Sequence, residues 1–411
     1  MWPNGCSAKI CGFGYIKLLI LSCLFICWGL IVPLSGQDFV PKELVVSIRP
    51  PVDIYLLGFQ YGFVPLEQLE GTRIWRVRTL RDLIDTLNRL IGDRLRVEFA
   101  ELNYIFATPE AEQQSMAFVD EDSPPYIHRE SPPRFFNQPA YLKIQADQAH
   151  GISTGQDIIV AVVDTGTSFT HPALSKRTLL GGWDFVDNDP DPTDEPGRPG
   201  DAGYGHGTFI SGLITLIAPD AWILPLRALK PSGSGTSFNV ARAVRYARDF
   251  GAHIINLSLG LTRQTMVVEA AIAYAAEGQV FVVASAGNQN THELQYPASS
   301  RNVTGVAAVN NDDIKASFSN FNERISVSAP GVDIYSVFPG DVFASWSGTS
   351  FSAALVAGEA ALVKALWPDR GWRFVQNILK LSSEDIYPLN PGYVGRLGAG
   401  RINCLSAVQV E

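Results

Sequence analysis

The chain predicts an α/β fold, a doubly wound and mainly parallel sheet, preceded by a small α+β unit. From Gln156 onward, apolar runs of strand length alternate with stretches of helical length. Those runs are nearly continuous in apolar residues, as expected of strands covered on both faces. The 411 residues, 46% of them hydrophobic, suffice for one large domain and something smaller.

The elements follow in order. Lys9 and Lys17 precede an apolar run from Leu18 to Leu34, closed by Ser35-Gly36-Gln37. Residues 1–36 therefore read as a secretory signal peptide, or as a membrane anchor if uncleaved, since the run is just long enough to span. Residues 37–109 carry the α+β unit. Leu44–Ile48 and Arg73–Arg78 are strands, and Arg96–Phe106 is extended. Between them Leu80, Leu83, Ile84, Leu87, Leu90 and Ile91 share one helical face. Residues 110–137 contain Glu110, Glu112, Asp120, Glu121, Asp122, Pro124, Pro125, Pro132 and Pro133, with little to bury, and read as a flexible acidic linker. In residues 138–411 the strands are Asp157–Val163, Ala221–Leu229, Ala252–Leu259 and Val280–Ala284. The helices are Val240–Phe250 and Met266–Glu277. In such a sheet the chemistry lies at the carboxyl ends of the strands.

Composition excludes several classes. A net charge of −9 with no basic cluster argues against nucleic acid as a partner. Cys6, Cys11, Cys23 and Cys27 all precede residue 30, so removal of the leader leaves Cys404 alone and no internal disulfide. There is no CxxC pair and no HExxH, which argues against zinc.

Four patches carry chemistry. Ala161-Val162-Val163-Asp164-Thr165-Gly166 ends an apolar run in a carboxylate, and Gly205-His206-Gly207-Thr208 sets a histidine in a glycine turn. Ser347-Gly348-Thr349-Ser350 precedes a small-residue apolar stretch. Val282-Val283-Ala284-Ser285-Ala286-Gly287-Asn288 delivers an amide after a buried strand. Singly, each has a plain reading: Asp164 caps a turn, Ser350 caps a helix. In the order Asp, His, Ser they match one of the chain orders in which a single triad geometry recurs on unrelated folds.

With Tyr141–Ala146, Asn256–Gly260 and Gly398–Asn403, these patches make the chain from about Phe136 onward resemble the subtilisin-like serine proteases. The resemblance implies a subtilisin-like sheet, a triad of Asp164, His206 and Ser350, and Asn288 as oxyanion donor. It assigns Ser258, Leu259, Gly260, Ser285, Ala286 and Gly287 to the substrate cleft. By position and by its Glu101-Leu102-Asn103-Tyr104 ending, the α+β unit looks like the ferredoxin-like inhibitory prodomain of that family. The implied protein is a secreted or otherwise extracytoplasmic serine endopeptidase, made as a self-processed zymogen. It acts on proteins or peptides, is inhibited by its own prodomain and requires no cofactor. It touches a membrane only if the leader stays.

Three departures from the family pattern stand out: Phe209, where many relatives carry histidine; Ala354-Leu355, where they carry Pro-His; and Ala173, where a strong calcium site would need aspartate. The first two are expected to pack behind the triad. A separate acidic loop with Asp184, Asp187, Asp189, Asp191, Asp194 and Glu195 suits calcium as a structural ion, with Asp187, Asp189, Asp191 and Asp194 as candidate ligands. A solvated acidic loop is the alternative. Two other functions stand beside the endopeptidase. A Ser–Glu–Asp carboxyl protease would replace His206 by glutamate, and the intact Gly-His-Gly-Thr argues against it. A catalytically silent scaffold would show damage at a catalytic position, and none is visible.

Overall fold

Strand Phe39–Ile48 shows why the first unit is more than a small independent domain. Its alternating residues Leu44, Val46 and Ile48 pack with Leu57, Val77, Leu90 and Leu102 in one core, while Val45 points to the opposite face and joins a different one. Period-two alternation is thus buried on both sides. The computed structural model describes residues 38–115, 126–128, 132–178, 181–197 and 201–410. The leader predicted at 1–36 lies outside them.

The first unit runs strand Phe39–Ile48, helix Ile54–Tyr61, strands Phe63–Gln68 and Ile74–Thr79, helix Leu83–Gly92 and strand Val97–Ala107. Counting strands in chain order, the sheet order is 2-3-1-4, every pairing antiparallel. Asp53 caps the first helix by accepting from the backbone N–H groups of Tyr55 and Leu56. That helix and strand Phe63–Gln68 were not read from sequence. On the second helix Leu83, Leu87 and Leu90 reach the core but Ile84 and Ile91 are exposed, and Leu80 lies exposed before the helix begins. The apolar stripe is narrower than the sequence suggested.

The main sheet has seven strands in the order Ile325–Pro330, Thr304–Val309, Phe281–Ser285, Ile254–Leu257, Ile159–Asp164, Trp222–Arg227 and Trp183–Asp184. All six pairings are parallel. Helices His206–Ile217, Thr349–Leu366 and Trp372–Leu381 pack into the core on one face, and Ser237–Phe250 and Met266–Glu277 into the core on the other. This is the doubly wound arrangement expected.

The stretch 110–137 is not a uniformly unstructured linker. Pro109–Ser115 is helical, Pro132–Phe136 is a helical turn, and Tyr126–His128 pairs antiparallel with Phe343–Ser345 at the edge of a second small sheet. Composition misleads here because backbone hydrogen bonding to a neighbouring element needs no apolar side chains.

Candidate active site

The reactive residues of the four patches sit where rigid elements begin or end. Asp164 closes strand Ile159–Asp164, His206 opens helix His206–Ile217, and Ser350 is the second residue of helix Thr349–Leu366. Asn288 follows strand Phe281–Ser285 across a turn in which Gly287 has φ +102°, a conformation that favours glycine. Gly207 lets the histidine turn lie against the aspartate loop, since a β-carbon there would come within 2.1 Å of the Gly166 carbonyl oxygen.

Asp164 is fully buried, and its Oδ1 accepts from the Thr165 N–H and lies 2.8 Å from His206 Nδ1. His206 Nε2 lies 3.1 Å from Oε2 of Glu110, a residue sequence reading had left in the linker. Ser350 Oγ donates to the same oxygen at 2.7 Å, and Asn288 Nδ2 donates to Glu110 Oε1 at 3.2 Å. Three groups from three separate elements therefore converge on one carboxylate. Burial would lower the His206 pKa, but Asp164 and Glu110 outweigh it and raise it to about 10.

The supporting residues are specific. Asn288 Oδ1 accepts from both the backbone N–H and Oγ1 of Thr349, at 3.0 and 2.9 Å. That fixes the amide so that its donor faces the cleft. Behind His206, Phe209 and Phe351 have ring centroids 4.6 Å apart, and Trp346 sits edge-on to His206 at 5.6 Å. Phe209, Ala354 and Leu355 are buried, so the first two departures from the family pattern fill the space behind the site as expected. Ser258 Oγ donates to the Ser350 carbonyl and Leu259 is buried in the core; Ser285 and Ala286 are buried in the strand and turn leading to Asn288.

Gly260 meets the end of strand Val97–Ala107. Ala107 and Gly260 exchange both backbone hydrogen bonds, at 3.2 and 2.8 Å, and on the other side Ile105–Ala107 pairs antiparallel with Ser234–Thr236. The end of strand Val97–Ala107 thus lies between two edges of the larger unit, in the manner of a peptide added to a sheet. Phe106 is buried there, which stabilises the contact by about 1.5–3 kcal/mol. Two further side chains of the same strand cap helices of the larger unit. Glu101 accepts from the Met266 and Val267 N–H groups, and Asn103 Oδ1 from the Phe238 N–H. Burial lifts the Glu101 carboxyl to about 7, against the pull of those two N–H groups.

The acidic loop is organised differently from the candidate ligand set. Asp194 accepts from Gly205 N–H, Thr208 N–H and Thr208 Oγ1, and so holds the start of the His206 helix. Asp189 and Asp191 accept from backbone two residues on, closing local turns. The carboxylates that cluster are Asp184, Asp187 and Glu195, whose oxygens lie within 4.8 Å of one another, a spacing that suits a metal ion. The Arg227 guanidinium bonds all three.

Glu110 and Thr349 are the site residues that sequence reading missed, and Asp194, read as a candidate calcium ligand, instead holds the helix that carries His206. A signal for the first existed: Thr108-Pro109 is a helix start, with threonine at the cap and proline at the first position.

Comparison with known proteins bears on this geometry. The model of the Subtilase family matches residues 155–400. Thermitase of Thermoactinomyces vulgaris is 39% identical over 65% of this chain and 94% of its own length. A thermophilic serine proteinase of Bacillus sp. strain AK1 is 38% identical, over 68% of this chain and 66% of its own length. The crystal structure of fervidolysin from Fervidobacterium pennivorans, a keratinolytic enzyme related to subtilisin, superposes with a TM-score of 0.74. That match covers 92% of this chain and 62% of that one at 22% identity, which speaks to the fold.

Proposed function

This chain belongs to the Subtilase family, and on that premise we propose that it is a serine endopeptidase in which Asp164, His206 and Ser350 form the triad and Asn288 the oxyanion donor. The observation that carries the reading is the convergence of Ser350 Oγ, His206 Nε2 and Asn288 Nδ2 on a single carboxylate. A group that all three reach marks where a substrate carbonyl would react.

The chemistry follows from those positions. Neutral His206 takes the Ser350 proton as Oγ attacks a peptide carbonyl, and returns it to the leaving amine. Asp164 holds the Nδ1 proton and stabilises the imidazolium. The oxyanion that forms meets Asn288 Nδ2 and the Ser350 N–H at the helix start. Water then resolves the acyl-enzyme with His206 as base. Neither metal nor organic cofactor enters a step.

Residues 38–109 act in this reading as an inhibitory prodomain. Their β-α-β-β-α-β order supports the ferredoxin-like description, and strand Ile105–Ala107 lies in the cleft as a substrate would. The sequence of residues 1–36 supports export, with self-cleavage after the first unit releasing the mature enzyme. Calcium, if taken up, would be held by the hard oxygens of Asp184, Asp187 and Glu195, and would steady the loop before His206.

The test compares wild type with Ser350→Ala by intact mass and by fluorophosphonate labelling. The wild type is expected to lose its N-terminal hundred-odd residues and to label; the variant should do neither. If wild-type protein neither shortens nor labels after limited proteolysis, the reading is wrong.

A further inference from the structure

Glu110 follows directly on the docked strand, in helix Pro109–Ser115, and is 2% exposed. Its carboxylate occupies a space that exists because residue 348 is glycine: a β-carbon there would come within 1.9 Å of Oε1. Each of its contacts disables one part of the machinery. Ser350 Oγ gives its hydrogen to Glu110 Oε2, not to His206. Asn288 Nδ2, the oxyanion donor, is already engaged by Oε1. His206 Nε2 faces the same carboxylate while Asp164 holds Nδ1.

We propose that the uncut chain is silenced by the Glu110 side chain itself, which engages nucleophile, base and oxyanion donor together. The inference rests on the peptidase reading above and adds to it the residue that imposes latency. With a carboxylate at each ring nitrogen, His206 keeps both protons, its pKa raised to about 10 although burial alone would lower it. A doubly protonated imidazole takes nothing from Ser350. The backbone at Glu110 is helical, so no extended peptide bond faces the nucleophile. Self-cleavage therefore needs this short helix to unwind and withdraw its carboxylate.

The experiment measures the rate at which a fluorophosphonate labels the band that is still full length. It uses wild type, Glu110→Ala, Glu110→Gln and Ala107→Pro, the last removing the N–H that bonds Gly260. Glu110→Ala is expected to label roughly ten-fold faster than wild type or more, the factor that one charge-assisted hydrogen bond is worth. Glu110→Gln should fall between, since it keeps hydrogen bonding without the charge. If both Glu110 variants label at the wild-type rate while Ala107→Pro labels fast, the docked strand alone blocks the site and the proposal is overturned. If wild type stays unlabelled even after limited proteolysis has removed the first unit, the peptidase reading fails and the proposal falls with it.

Discussion

Glu359 is a carboxylate in the wrong solvent. It lies on the inner side of helix Thr349–Leu366, fully buried, with neither oxygen in a well-formed hydrogen bond. Burial raises its pKa to about 8, against the pull of Arg401 and the Asn403 N–H. A carboxyl whose pKa is raised on folding binds its proton more tightly in the native state. Its contribution is therefore most favourable below the unfolded value near 4.5 and is lost as pH rises to about 8. In a Ser350→Ala background, chosen to prevent self-digestion under the proposed mechanism, Glu359→Gln should match the parent near pH 4.5. At pH 8 and above it should exceed it by roughly 2–4 kcal/mol. Thermal unfolding across that range checks this. Parallel pH profiles for the two proteins would show that the buried group costs nothing.

At the scale of elements, four strands of the main sheet were legible because burial on both faces leaves continuous apolar runs: Ile159–Asp164 and Phe281–Ser285 sit within two residues of where the sequence placed them, whereas Trp183–Asp184, Thr304–Val309 and Ile325–Pro330 were not read. His206, Ser350 and Asn288, which meet at the Glu110 carboxylate, and Asp164 behind His206 could be singled out in the sequence because each is announced by a strand end or a glycine turn. What stayed hidden is set by tertiary placement. Nothing in the composition around Glu110 says that its side chain enters the cleft, and nothing local says that Arg227 reaches three carboxylates of another loop. That arginine is 1% exposed, and its single positive charge is shared among Asp184, Asp187 and Glu195. A calcium ion drawn to these carboxylates would compete with it. Arg227→Met should then cost roughly 3 kcal/mol, the low end for breaking a buried ion pair, because only the Asp184 partner is buried while Asp187 and Glu195 are half exposed. Added calcium should recover part of that loss in the variant and shift the wild type much less. Melting temperatures in calcium and in chelator decide it. An equal calcium response in the two proteins would mean that Arg227 does not compete with the ion.

For the whole molecule, the joint between the two units is also a proton-binding surface. Glu101 of the first unit and Glu112 of the short helix that follows it are each raised to about 7 by burial, and Gln295, Gln289 and the helix N–H groups recover only part of the penalty. His206, on the other side, is raised to about 10 because the Asp164 and Glu110 carboxylates outweigh its burial. All three shifts have one sign: docking takes up protons. Affinity between the units should be greatest below the ordinary carboxyl range, fall as pH rises from about 4.5 to 7 through the two glutamates, and fall further toward 10 as His206 gives up its proton. Part of the histidine's elevation belongs to Asp164 and persists after release, so the upper window contributes less than its width suggests. A decline of roughly two decades in affinity between pH 5 and 8 is the expected size, each raised group giving up to ten-fold per pH unit before screening. Ser350→Ala protein, nicked by an added protease between residues 116 and 131, keeps both units for a dissociation measurement at a series of pH values. Glu101→Gln with Glu112→Gln should flatten the lower window and leave the upper one. Docking that tightens with rising pH would mean that hydrogen bonding to the ionised glutamates, and not their burial, controls the joint.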